Sequence, residues 1–181
     1  MLAWFQSVTT RTAGFNSLNI GDMTTAGLFL TIALMFVGAS PGGTGGGVKT
    51  TTMRVLVDCT RAVLRGKEEV VCYDRRLPTE LILKAVAVVF GSLMSVILAT
   101  MLLSWAEPNL EFIALFFEAV SAYATVGLSM GITAILSLQS KLVLVLTMYA
   151  GRVGILLLIS ALIREAKPSA IRYPEDDLLV G

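Results

Sequence analysis

The chain has 181 residues, 55% of them hydrophobic and only 15% charged, with a formal net charge of +1 and no histidine; its mean hydropathy is +0.79. The apolar residues arrive in long uncharged runs rather than in stripes with polar partners, which excludes an ordinary soluble enzyme. Without histidine there is no Cys/His cluster to suggest a metal centre, and Cys59 and Cys72 carry no assigned role.

Met1 to Val8 lacks the positive n-region and cleavage site of a signal peptide, so the chain reads as starting in the middle of a longer organisation. The uncharged run Thr24 to Gly38 would extend only ~22 Å as a helix, short of the ~30 Å hydrocarbon core. After it comes a stretch no helix tolerates, Ala39-Ser40-Pro41-Gly42-Gly43-Thr44-Gly45-Gly46-Gly47-Val48. Helical spacing resumes from Lys49 to Arg65, so the three parts predict a broken transmembrane helix. Irregular backbone at membrane depth is tolerated only where protein covers it or it lines a watery cavity, which points to a transport path.

Leu81 to Ala106 predicts a full span, with Lys84 snorkelling at one end and Trp105 at the opposite interface. Leu110 to Tyr123 is barely half a membrane long and ends in Thr125-Val126-Gly127-Leu128, as a re-entrant pore helix would. Leu142 to Ile163 predicts the last span, closed by Arg164, Lys167 and Pro168. Lys and Arg are absent from Thr12 to Val48 and from Ala85 to Ser140, whereas Lys49 to Lys84 holds eight of the 14. The loop 49–84 and the C-terminus are therefore expected on the cytoplasmic side, with Glu107 and Glu111 outside.

An internal repeat links the two ends. Phe5-Gln6-Ser7-Val8-Thr9 is similar to Phe117-Glu118-Ala119-Val120-Ser121, and the copies lead into Thr12-Ala13-Gly14-Phe15 and Thr125-Val126-Gly127-Leu128. A cation crossing a bilayer must exchange its water shell for fixed oxygens, and short Gly-containing strands behind pore helices supply them as backbone carbonyls. Glycine permits the torsions that turn successive carbonyls the same way, and a threonine hydroxyl adds one more oxygen.

These segments, with Ser7 to Asn16, Gly38 to Thr51 and Ala124 to Ser129, resemble the third and fourth pore repeats of the Trk/Ktr family of potassium uptake proteins. The resemblance covers essentially the whole chain. It implies an all-α integral membrane fold of repeated M1, pore helix and M2 units, with a partial third repeat at 1–77, a fourth at 78–167 and a cytoplasmic tail at 168–181. By the same resemblance Thr12, Ala13, Gly14, Thr125, Val126 and Gly127 form the potassium filter. Gly42, Gly43, Thr44, Gly45, Gly46 and Gly47, with Lys49 and Arg152, form an intramembrane gate beneath it. Potassium is then the substrate, with no covalently bound cofactor and no further metal. The expected surroundings are membrane lipid of the cell membrane, the remaining pore repeats or a second copy, a homodimeric arrangement and a cytoplasmic nucleotide-binding regulatory subunit. Neither an enzymatic activity nor a nucleic-acid partner is expected. Rival readings are a membrane subunit that does not itself transport, and a secondary transporter of another solute.

Gly42 and Gly47 have P-loop spacing, but Val48 intervenes before Lys49 and the preceding segment is a charge-free helix rather than a strand, which argues against a nucleotide site. Arg152, between Gly151 and Gly154 in the middle of the last span, is costly in lipid, so it is expected to face water or a partner and to oppose cation entry or hold the gate loop. Arg11 is expected to point behind its strand; Glu118 either partners it or orders the second filter. Glu107, Glu111 and Asp22 either gather cations or form a hydrated rim.

Overall fold

The computed structural model describes residues 1–43, 45–67, 69–73 and 75–154. Among the described residues six α-helices follow one another: α1 (Leu2–Thr9), α2 (Thr25–Phe36), α3 (Thr50–Leu64), α4 (Thr79–Ala106), α5 (Phe112–Tyr123) and α6 (Leu138–Val153). Of the predicted gate, Thr44 lies outside the described residues, as do the end of the last predicted span beyond Gly154 and the tail 168–181.

Local chemistry sets the helix ends. Thr24 caps α2 by accepting the Gly27 amide at 3.3 Å, and Ser137 caps α6 by accepting the Ser140 amide at 3.3 Å. Pro78 precedes α4, where its missing N–H costs nothing. At 28 residues α4 extends about 42 Å and is the one described helix long and apolar enough to cross a membrane. The apolar helices α2 and α5 have 12 residues each, about 18 Å, too short to cross.

Helix α5 is the centre of the molecule. From Phe117 to Tyr123 every residue is buried, because α2, α4 and α6 pack around it. One apolar cluster joins Phe117 and Val120 to Leu28, Ile32 and Met35 of α2, and another joins Leu115 and Ala119 to Leu103 of α4 and Leu144 of α6. The buried Tyr123 hydroxyl donates to Ser92 of α4 at 2.6 Å. Gly151 brings α6 against the end of α5 so closely that any Cβ there would collide with the Tyr123 carbonyl. Away from this core, α4 leaves Phe90, Leu98, Met101 and Trp105 exposed.

Between α3 and α4 lies a hairpin that the residue pattern does not predict, β1 (Val71–Cys72) antiparallel to β2 (Arg75–Arg76). It sits against α3, where Arg54 pairs with Asp58 at 2.7 Å and stacks over the Tyr73 ring at 5.3 Å. Cys59 and Cys72 are both free thiols. The Asp58 carboxylate beside Cys72, aided by desolvation, pushes that thiol upward, away from reactivity.

Candidate functional site: two Thr-x-Gly strands over a glycine loop

The two Thr-x-Gly segments share one unusual backbone. Thr12 has φ +64° and Gly14 +73°; Thr125 has φ +52° and Gly127 +90°. Ala13 and Val126, between them, keep ordinary negative φ. Such alternation turns successive carbonyls toward one side, and it places a β-branched threonine in the left-handed region at a cost of about 1–2 kcal/mol. The surroundings must hold it there. The strands are neighbours: a Cβ on Gly14 would overlap the Val126 carbonyl oxygen, and one on Gly127 would lie 3.7 Å from the Gly14 Cα.

Each strand is tied to its own short helix in the same way. Thr9, the last residue of α1, donates its hydroxyl to the Phe15 carbonyl at 2.9 Å, and its own carbonyl accepts the Ala13 amide at 3.1 Å. Ser121 of α5 donates to the Leu128 carbonyl at 2.6 Å and accepts the Val126 amide at 2.9 Å. Thr9 spans six residues to reach its partner and Ser121 spans seven. The second copy therefore carries one extra residue before its threonine, and the hydroxyl brace is preserved around it. Neither Thr9 nor Ser121 is in the predicted site; the residue pattern aligns them, but only the folded chain shows what their hydroxyls hold.

The glycine loop lies against both strands. Its neck is closed where Gly38 donates to the Val48 carbonyl at 2.8 Å and Val48 donates to the Phe36 carbonyl at 3.2 Å. Gly46 donates its amide to the Thr125 hydroxyl at 2.9 Å. A Cβ on Gly45 would stand 2.8 Å from the Thr12 hydroxyl and one on Gly46 2.8 Å from that of Thr125, so the loop meets both threonines through backbone that no larger residue could replace. Gly45 and Gly46 are buried, whereas Gly42 and Gly43 at the tip are exposed. The Thr12 hydroxyl is enclosed without a hydrogen-bond partner among the described residues.

The charged candidates separate. Lys49 donates its ammonium to the Gly45 carbonyl at 2.6 Å and so clamps the loop from its far end. Arg152 is exposed and makes no hydrogen bond or ion pair among the described residues, so the cation that binds a loop carbonyl here is Lys49. Arg11 is exposed too. Glu118 is not its partner: the buried carboxylate accepts from the hydroxyls of Ser129 and Thr133, just past the second strand. At the opposite ends of α4 and α6, Glu107 accepts the Ser137 amide at 2.7 Å and the Ser140 hydroxyl at 2.9 Å, while Asp22 accepts from Asn19 at 2.8 Å. Both carboxylates thus bind local structure. Ser137 first, then Ser140, holds the Glu107 carboxyl below the usual glutamate value.

One helix of bilayer length packed on half-length apolar helices suits a helical protein embedded in a membrane. Within that class the chain belongs to the TrkH family of cation transport proteins, which residues 1–170 match. It is 39% identical to the potassium/sodium uptake protein NtpJ of Enterococcus hirae, covering 98% of this chain and 41% of that protein. The Ktr system potassium uptake proteins B of Bacillus subtilis and of Vibrio alginolyticus are each 39% identical, over 99% and 100% of this chain and 40% and 39% of theirs. The chain thus spans about two fifths of the length of these relatives.

Proposed function

We propose that the chain supplies two pore repeats, residues 1–77 and 78–167, to a membrane protein that carries potassium into the cell. The observation that carries this reading is the matched left-handed torsion of Thr12 with Gly14 and of Thr125 with Gly127. A potassium ion sheds water against the carbonyls of Thr12, Ala13, Thr125 and Val126, and these oxygens replace its hydration shell. A fourfold cage needs two more such strands, from the remaining repeats of a longer chain or from a second copy. The names of the relatives support potassium as the substrate.

In this reading α2, the glycine loop and α3 form one broken membrane helix, and the loop is the gate. Two bonds hold it closed: Gly46 to Thr125, which ties it to a strand and is worth about 0.5–1.5 kcal/mol, and Lys49 to Gly45, which ties it to its own flank and is worth about 1.5–3 kcal/mol. Together they keep the open form to about a few per cent or less, yet one regulatory binding event can reverse that bias. The exposed tip at Gly42 and Gly43 is the part free to swing. Arg152 places a fixed positive charge on the last span as a barrier to cations, so Arg152→Gln should raise uptake at unchanged expression.

The segment 49–84 and the tail face the cytoplasm in this topology, by the bias of Lys and Arg. A homodimer resting on a cytoplasmic nucleotide-binding regulatory subunit completes the assembly in this reading; the Ktr system names of the relatives support only that such a membrane subunit works within a transport system.

The test is rubidium uptake in cells lacking their own potassium systems. The arms are this chain alone, this chain joined to the other repeats of a relative, and the joined form with Gly127→Ser. Transport by the joined form that loses potassium preference with Gly127→Ser supports the assignment. No transport by any arm despite membrane insertion would overturn it in favour of a non-transporting subunit.

A further inference from the structure

The two strands are braced alike by Thr9 and Ser121 but differ one turn earlier in their helices. In the first copy that position is Gln6, buried with neither side-chain polar atom hydrogen-bonded among the described residues. In the second it is Glu118, 5% exposed, whose carboxylate oxygen accepts from the Ser129 hydroxyl and lies 3.0 Å from that of Thr133. Those two hydroxyls are 2.8 Å apart, and Ser129 also receives the Gly131 amide at 2.9 Å. The network therefore grips the chain at Ser129, two residues beyond Gly127.

Glu118 borders a cavity of about 240 Å³ that also reaches Thr125 and Gly127. Among the described residues it is the only charged or titratable side chain lining that cavity; α6 contributes Leu144 and Met148. Of the other charges on the packed elements, Lys141 of α6 binds the Ala134 carbonyl at 3.4 Å, Glu107 binds Ser137 and Ser140, and Arg152 of α6, one turn beyond Met148, is exposed and does not line the cavity. Tyr123 of α5 points away, to Ser92 of α4. Among the described residues lining this cavity, the proton equilibrium is thus that of Glu118, and none of them is a cation.

We infer that Glu118 is a specificity-determining positioning residue: as a carboxylate it holds Ser129 and Thr133, and through them the carbonyls of Gly127 and Leu128, so that the second strand discriminates among monovalent cations more sharply than the first. This rests on reading the Thr-x-Gly strands as an ion filter. Ionised Glu118 accepts from both hydroxyls; once protonated, one of its oxygens becomes a donor and the grip weakens. Discrimination is therefore present at higher pH and lost as pH falls. Gln6 carries no such proton, which makes the filter asymmetric in its response to acid.

The experiment measures the ratio of rubidium to sodium uptake against external pH in the transporting form. Wild type should lose roughly three- to tenfold of that ratio on acidification, and Glu118→Gln should show the lowered ratio at every pH. Thr133→Val, which keeps the carboxylate, should lower the ratio partway and retain the pH response; it serves if Glu118→Gln does not fold. Gly127→Ser runs alongside. If Gly127→Ser lowers the ratio while the wild-type ratio is flat with pH and Glu118→Gln matches it, the inference about Glu118 is wrong and the filter reading stands. If Gly127→Ser changes nothing, the filter reading fails and takes the inference with it.

Discussion

The amide of Gly46 donates to the hydroxyl of Thr125 at 2.9 Å across 79 residues of chain, joining the glycine loop to the strand above it. That bond occupies one lone pair of the Thr125 hydroxyl and helps hold a threonine whose φ is +52°. Thr125→Ala should therefore loosen the loop, whereas Thr125→Ser should not. A cysteine placed at Gly43, at the exposed tip, should react with a water-soluble maleimide about 2- to 10-fold faster in the alanine variant, the range expected for one neutral hydrogen bond.

The braces from Thr9 and Ser121 should matter equally, since each satisfies the carbonyl of the residue after Gly14 or Gly127. Thr9→Val and Ser121→Ala should each cost about 1 kcal/mol in thermal unfolding experiments and weaken rubidium preference, while Thr9→Ser should behave as wild type. An unchanged preference in both deletion variants would show that the helices do not set the strand geometry.

Gly151 is replaceable by nothing larger, because its Cβ would fall on the Tyr123 carbonyl at the end of α5. Gly151→Ala should lower stability by about 1–3 kcal/mol through forced separation of α5 and α6. Gly27→Ala is the matched comparison: its Cβ would meet the flexible end of Met23 and the capping Thr24 hydroxyl, each at 3.3 Å, while helix propensity favours alanine. Melting curves in the same detergent should show a clear loss for Gly151→Ala and a much smaller change for Gly27→Ala.

Glu107 joins the end of α4 to the start of α6 through Ser137 and Ser140, which lower its carboxyl below the ordinary glutamate value of 4.5. A lowered native value means the contribution is full above the unfolded-state value and fades as pH falls through the native one. Thermal stability should thus drop on acidification below about pH 4.5, and Glu107→Gln should flatten that part of the profile. A profile identical in wild type and variant would assign the acid transition to other carboxylates.

Composition and local pattern determined a good deal here. The uncharged runs predict α2, α4 and α5 to within two residues of their observed ends, because hydropathy and breakers such as Pro41 and the glycines act over a few positions. The pairing of Thr12-Ala13-Gly14 with Thr125-Val126-Gly127 was equally readable, since it is a repeat of residue types. The hairpin at 71–76 was not, because two-residue strands are too short for an alternating pattern. What only the tertiary structure decided are particular contacts: that Gly45 and Gly46, rather than the exposed Gly42 and Gly43, meet the strands, that the Lys49 ammonium binds the Gly45 carbonyl, and that Glu118 turns to Ser129 and Thr133 rather than to Arg11. Local pattern cannot rank such partners, because which oxygen meets which donor depends on the helices packed around α5 to within a fraction of an ångström.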